Sequence, residues 1–351
     1  MRFSSRFFLY GPFALFVALA ASVMTYWWFA AAALSQRLDA LEDREIAPGV
    51  HLHFGSKRIA GFPFRLDAVF TDFTVRIAGA RGPIAWHAER LAAHTLTYAR
   101  DVIVFEAAGK QNLSWVGLNG ARHEFDYTPG ALRASAIVDG SKLVRFDLDA
   151  ISLYSPKFAA GRAQFHMRRD PSFDALDLVL DLQSVRFAGD AGAGFADGLM
   201  RVRIEGRLSP AAPYAPTLSG QADWRQALES WRVAPGVFKV DEAAILWAKC
   251  QATSSGNITL DDGHRPSGSL AFSLADCDAL AKEAEGVNQA SRAHRPIIAV
   301  LADLAAHEPA DRNDAFPATV VFKDGLIYIG PGRPLASGSY FVPVGFLHAL
   351  Y

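Results

Sequence analysis

Lys142-Leu143-Val144-Arg145-Phe146-Asp147-Leu148 alternates side chains by character, with Val144, Phe146 and Leu148 opposing Arg145 and Asp147. A period of two puts alternate residues on opposite faces of an extended chain, so the stretch predicts a half-buried strand. The pattern recurs in Phe64-Arg65-Leu66-Asp67-Ala68, in Ala163 to Arg168, in Leu176 to Leu182, and in Met200 to Ile204, where Val202 and Ile204 oppose Arg201 and Arg203. It returns once more in Leu270, Phe272 and Leu274. Gly79 to Gly82, Asn119-Gly120, Asp139-Gly140, Asp262-Gly263 and Asp324-Gly325 supply turns that tolerate positive φ. The expectation is a mainly β chain with a few helices, folded as a hairpin meander into a long antiparallel sheet with one dry and one wet face.

Upstream of the alternation lies a different pattern. Phe7 to Leu34 reads FFLYGPFALFVALAASVMTYWWFAAAAL without a charged residue. About 20 apolar residues at roughly 1.5 Å rise cross a hydrocarbon core of roughly 30 Å. The reading is a signal anchor over 9–33, preceded by a cytoplasmic tail at 1–8, with Trp27 and Trp28 near one interface. A cleaved signal peptide is the alternative, but its apolar region is typically only about 7 to 15 residues. Arg2 and Arg6 before the run nearly balance Arg37 and Arg44 after it. The short basic tail resembles a secretory signal and predicts that the body lies outside the cytoplasm. Leu34, Leu38 and Leu41 at helical spacing predict a coupling helix over 34–46, ended by Pro48-Gly49, with the body spanning 47–351.

The chain has 351 residues and a formal net charge of -1, so no electrostatic footprint points to nucleic acid. Pro210, Pro213 and Pro216 mark the best internal boundary, near 210–220, either between two lobes or within one sheet. Two helical patches interrupt the strands. Gln221 to Trp231 aligns Trp224, Leu228 and Trp231, and Ala279 to His307 carries Ile297, Leu301 and Leu304; such stripes form a lid or partner helix, or pack on the sheet as core. Cys250 and Cys277 are the two cysteines, which either pair in an oxidising compartment or stay as buried thiols.

Motifs for catalysis are missing: there is no Gly-x-Ser-x-Gly, phosphate loop or His-Glu-x-x-His, and Gly192 to Gly198 misses the dinucleotide spacing by one residue. His51 and His53 share a strand face but lack a third ligand nearby in sequence. Asp147 and Asp149 share the wet face beside Arg145, which favours surface ion pairing. No catalytic residue, metal or cofactor is therefore expected. What remains is the dry face itself. If the sheet curls into a groove, Phe64, Leu66, Val144, Phe146, Leu148, Phe165, Met167, Leu178, Leu180, Val202, Ile204, Phe272 and Leu274 would line it; otherwise they form an ordinary core. Burying about 0.8 kcal/mol per methylene, ten methylenes of a lipid chain would contribute on the order of 8 kcal/mol before association costs. Such a groove needs no polar motif.

Gly61-Phe62-Pro63-Phe64-Arg65, following an N-terminal anchor, resembles the signature of a bacterial family designated domain of unknown function 2125. Ser255 to Gly263 followed by Pro266-Ser267-Gly268 is similar to a late repeat of that family, and Asp324 to Pro331 to its ending. Pro235-Gly236 departs from an expected glycine pair, and Trp247-Ala248-Lys249 from a Trp-Gly dipeptide. The resemblance implies a single-pass inner-membrane protein of a Gram-negative cell with a periplasmic β-rich body, distantly like AsmA-type envelope proteins. It implies membrane and lipid as partners, with an envelope protein as a further one, and brings no catalytic residues. The expected function is binding or passing a lipid or amphiphile; the alternative is a structural or assembly protein with a filled core.

Overall fold

The computed structural model describes residues 5–79, 82–117, 120–156, 158–187, 200–247, 250–275, 316–331, 342–347 and 349–350. Its first element is α1 (Ser5–Asp39), and every residue from Pro12 to Tyr26 on it is exposed. Ser22, the one hydroxyl-bearing serine in that apolar stretch, turns its Oγ back to the Ala18 carbonyl at 2.8 Å. The helix stops at Asp39, so the coupling helix expected to reach residue 46 is seven residues too long. The sheet captures the chain early. Leu41 and Glu42 close the last turn on the Leu38 carbonyl, and the Asp43 N–H already donates to Leu52 at 2.9 Å. Pro48-Gly49 then forms the turn of a hairpin between β1 (Glu45–Ala47) and β2 (Val50–His53), where Ala47 pairs with Val50.

The sheet continues through β3 (Ser56–Ala60), β4 (Arg65–Gly79), β5 (Gly82–Leu96) and β6 (Val102–Val116). It goes on through β7 (Arg122–Tyr127), β8 (Ala131–Asp139), β9 (Lys142–Ser155), β10 (Phe158–Asp170), β11 (Ala175–Phe187) and β12 (Met200–Ser209). The remaining strands are β13 (Val237–Trp247), β14 (Cys250–Leu260), β15 (Pro266–Ala275), β16 (Phe316–Lys323), β17 (Leu326–Pro331) and β18 (Val342–Phe346). All pairings between these strands are antiparallel, and one isolated parallel bridge joins Glu42 to Leu52. From β8 to β18 each strand pairs with its successor, while β2 and β3 share β4, and β7 and β8 share β6. This is the long meander that the turns and the alternation predict.

Register keeps the dry face in phase. Ala93, Phe105, Ala134, Leu148, Phe165, Leu180, Ile204, Ala243, Ser254 and Phe272 are successive partners from β5 to β15. Irregularities bend individual strands without losing that phase: Asp72, Ser152 and Ser184 take positive φ, and the register jumps between Ala88 and Arg90 and between Leu182 and Val185. At the Ala88–Arg90 jump, Gly109 takes φ +81, a conformation that strains any residue with a Cβ, and the Glu89 side chain lies against it.

The Pro-rich stretch near 210–220 lies inside this sheet, as part of the connection between paired strands β12 and β13. A 3-10 turn (Ala212–Tyr214), α2 (Ala215–Leu218) and α3 (Trp224–Val233) fill the connection, with the Asp223 carboxylate capping α3 at the Gln226 N–H, 2.8 Å away. Trp231 is buried and donates from Nε1 to the Ser209 carbonyl at 3.0 Å; Trp224 Nε1 donates to the Ala78 carbonyl of β4 at 3.1 Å. Seven pairing steps separate β4 from β12 along the sheet, roughly 35 Å if it were flat at about 4.8 Å per step. Trp224 stands on the α3 connection rather than on β12, so this contact is one that a curled, twisted sheet favours. The second helical patch, Ala279 to His307, and the Gly192 to Gly198 loop lie outside the described residues, as does Cys277.

Candidate functional site

A cavity of about 590 Å³ lies on the apolar face of β4 to β10. Phe73 and Val75 of β4, Trp86 and Leu91 of β5, Phe105, Ala107 and Leu113 of β6, and Phe125 and Tyr127 of β7 form one wall. Leu132 and Ala134 of β8, Phe146, Leu148, Ala150 and Leu153 of β9 and Ala163 of β10 form the other. The hollow has a local cause. Register sets alanine beside bulk, Ala134 opposite Leu148 and Ala150 opposite Leu132, and a row of methyl groups cannot fill what the flanking phenylalanines enclose. Phe146 and Phe165 lie 6.3 Å apart, and Phe125 sits 5.3 Å from Tyr127.

Polar atoms in this wall are few and mostly serve each other. Trp86 Nε1 donates to the Tyr127 hydroxyl at 3.0 Å and to Gln111 Oε1 at 3.2 Å. Burial pushes the Tyr127 hydroxyl pKa up, only partly offset by the Trp86 contact, so the group stays protonated through neutral pH. Gln111 is 1% exposed, and its Nε2 has no partner among the described residues. Chemically, the arrangement can keep water away from an alkyl chain.

Toward β2 the same face is filled. Phe54, Ala68, Phe70, Phe73, Ala88, Leu91 and Ala107 pack as a buried cluster, with Leu38 of α1 and Leu52 against it. Phe54, Phe70, Phe73 and Trp86 run in ring-to-ring contact at 5.1, 5.4 and 6.2 Å.

Of the thirteen residues predicted for a groove, Phe146 and Leu148 line the cavity. Val144 sits beside them where the β8–β9 register shifts. Phe165 and Met167 lie opposite Leu148 and Phe146, and Leu180 and Leu178 opposite Phe165 and Met167, so they extend the face past the cavity. Ile204 and Val202 follow on β12, and Phe272 lies across from Ser254 on β15. Leu274 pairs with Ala252 and Phe316 in the backbone register. Leu66 is buried at the start of β4. Phe64 does not belong to this set. It precedes β4 in a turn and is 60% exposed, because the Gly61-to-Arg65 turn consumes the residues that the alternation assigned to a strand.

The outer face holds the charges. Asp147 accepts from Arg145 at 2.7 Å and lies 2.8 Å from His166 Nδ1, while Asp149 takes a two-point contact from Arg162, 2.8 Å at each oxygen. Asp181 is held likewise by Arg201, at 3.1 and 2.7 Å. Burial raises the Asp147 pKa, but the contacts to His166 and Arg145 outweigh it and hold the carboxyl below its ordinary value. The Arg162 contact lowers Asp149, and the Arg201 contact lowers Asp181, each against a smaller cost of burial. Asp149 with Arg162, Asp147 with His166 and Asp181 with Arg201 pair across strands, Arg145 adds a contact to Asp147 along β9, and the Asp181 carboxylate is buried beneath its arginine.

His51 and His53 both lie exposed on β2. The structure adds what their spacing lacked: Glu42 and Asp43 approach His53, ligand atoms within 4.8 Å of one another, with His53 Nδ1 at 2.8 Å from Asp43. Asp43 and His53 are exposed and already paired together, as surface groups commonly are.

The molecule is thus an antiparallel β protein with an N-terminal apolar helix and an apolar hollow in one face of its sheet. The chain belongs to the bacterial family described as uncharacterized protein conserved in bacteria, DUF2125, whose model matches residues 27–337. No curated protein matches the chain.

Proposed function

We propose that this chain is a membrane-anchored, non-enzymatic carrier that holds the acyl part of a lipid or other amphiphile in the hollow of its sheet. In this reading α1 crosses the inner membrane once and the sheet stands in the periplasm, serving upkeep of the cell envelope. The observation that carries it is the cavity: about 590 Å³ of space lined by aliphatic and aromatic side chains, within a sheet whose opposite face is laced with ion pairs. An alkyl chain laid against such a lining would gain dispersion contacts and remove apolar surface from water. Orientation rests on the basic tail before the apolar run, and reporter fusions at the two ends of the chain test it. The packed cluster around Phe70 favours the second reading, an envelope assembly protein whose sheet is simply filled.

A photoreactive phenylalanine analogue placed at Leu132 or Phe146 of the full chain in its native membrane separates the two. The carrier reading expects cross-links to lipid at both positions and none at Asp139, in the β8–β9 turn on the surface. Mass spectrometry that finds no lipid adduct at either inner position overturns it.

A further inference from the structure

The sheet grips α1 at one level. Trp27 Nε1 donates to the Arg65 carbonyl at 2.7 Å, and the Tyr26 hydroxyl lies 3.2 Å from the Thr97 carbonyl while receiving Arg100 Nη2 at 3.3 Å. Below that level every residue from Pro12 to Thr25 is exposed; above it Trp27, Ala30 and Ala31 begin to be covered. The helix before the grip, residues 5–25, is roughly 20 residues or about 30 Å long, the thickness of one hydrocarbon core.

Around the grip stand rings that remain largely exposed among the described residues. Phe62 is 52% exposed, Phe64 60% and Tyr98 74%, and Trp28 and Phe29 on the helix are exposed as well. Their supports are rigid. The Arg65 N–H closes the turn on the Gly61 carbonyl at 2.9 Å, and the Thr97 N–H and hydroxyl both donate to the Phe64 carbonyl, at 3.0 and 3.1 Å. Gly61 has φ +96, and a Cβ there would stand 2.9 Å from the Arg65 carbonyl and the Asp67 carboxylate. Glycine therefore permits a turn tight enough to push Phe62 and Phe64 outward. Trp27 meets Phe62 edge to face at 5.5 Å, which ties the sheet's rings to those of the helix. Aromatic rings flanked by arginine, here Arg65 and Arg100, are what the boundary between acyl chains and headgroups favours.

We propose that Phe62, Phe64 and Tyr98 insert into the interfacial layer of the bilayer, giving the sheet its own membrane contact beside α1. This rests on the reading of α1 as a membrane span and adds where the sheet sits on the lipid surface. The occupant is lipid because the rings continue the exposed apolar surface of the helix at the height where one bilayer thickness ends. The contact fixes the Arg65 end of β4 and the Leu96 end of β5 against the headgroups and leaves the sheet no freedom to swing about Asp39.

The test uses the full chain in liposomes of phosphatidylethanolamine and phosphatidylglycerol. An environment-sensitive dye is attached at Phe64→Cys, Tyr98→Cys or, as control, Asp139→Cys, with Cys250 and Cys277 changed to serine. Lipids with a nitroxide at a shallow acyl position are expected to quench the dye at positions 64 and 98 several-fold more than at 139, and aqueous iodide to do the reverse. A photoreactive phenylalanine analogue at Phe62 or Phe64 gives the same readout, as lipid adducts, with both cysteines intact. Quenching and cross-linking at 62, 64 and 98 no greater than at 139, in a chain that resists alkaline extraction, overturn this proposal and leave the span standing. A chain that alkaline extraction removes overturns both.

Discussion

Phe70 and Phe146 occupy the same face of the same sheet, one on β4 and one on β9, yet they meet different surroundings. Phe70 is buried between Phe54 and Phe73, in a cluster that Leu38 of α1 also covers. Phe146 is half-buried and looks across the hollow. Both obey one pattern, and the difference is made by what lies above them. Near β2 the chain supplies its own cover, the second half of α1 and the Phe54 loop. From β6 to β10 a hollow remains, although α2 approaches β9. An apolar face is a core only where something completes it.

The largest effect expected breaks that comparison directly. Phe70→Ala removes a ring with neighbours on all sides and should cost about 3–5 kcal/mol of stability. Phe146→Ala should cost only ~1–2 kcal/mol, because a lining ring has fewer partner atoms to lose. Urea melts of the two variants in the same detergent check the difference; equal losses would mean that the hollow is packed in solution. Next in size is the opposite manoeuvre. Ala88, fully buried, should not accept tryptophan without an overpacking cost of about 1–3 kcal/mol or more. Ala134→Trp points its ring into open space and should change stability by less than about 1 kcal/mol. It should also reduce lipid cross-linking at Phe146 several-fold, which a merely filled core would not predict.

How much of this was legible beforehand follows from where the period of two survives. Val144, Phe146 and Leu148 could be assigned to one face because β9 runs regularly there. Phe73, Trp86, Leu91, Phe105, Leu113 and Tyr127 escaped, although they build half of the hollow. Asp72 on β4 and the Ala88–Arg90 jump on β5 each shift the alternation by one residue, so counting across them loses the phase of Phe73, Trp86 and Leu91, whereas β6 keeps its phase from Phe105 to Leu113. Phe64 failed for the converse reason, since alternation continues by accident into a turn that Gly61 and Thr97 define through contacts distant in sequence. The helix end at Asp39 depended on a hydrogen bond from Asp43 to Leu52, again a pairing that no local stripe of leucines announces. The outer face was the easier half: Asp147 and Asp149 were readable as ion pairs because Arg145 shares their strand and their face.

That outer face gives a smaller, pH-dependent contrast. Burial raises the Asp67 pKa, but its contacts with His94 at 2.8 Å and Arg65 at 2.6 Å bring it below the ordinary value of 3.8. A carboxyl with a depressed folded pKa contributes stability that is fully present above its unfolded pKa and is lost as pH falls through the folded value. Asp147, Asp149 and Asp181 act in the same direction. Melting temperature should therefore stay level from neutral pH to about 5 and fall below about 4. Asp67→Asn should reduce that acid slope and cost on the order of 1–2 kcal/mol at pH 7, since its side chain is only 8% exposed. An unchanged slope in this variant would mean that Asp67 is unpaired in solution.

The smallest effect is expected at Arg133, whose Nε lies 3.1 Å from Glu106 on the same outer face. Both side chains reach well into water, so desolvation neither strengthens the pair nor penalises its loss, and Arg133→Ala should cost less than about 1 kcal/mol. Salt should erase what little there is, because the Debye length falls to about 3 Å at 1 M. Asp67→Asn, buried beside Arg65 and His94, should keep most of its cost under the same salt. A double-mutant cycle over Arg133 and Glu106, run at low and high ionic strength, measures the pair alone. A coupling above about 2 kcal/mol that survives salt would show that the outer face is shielded from water, as it would be if another protein covered it, and would shift the balance from the carrier toward the assembly reading.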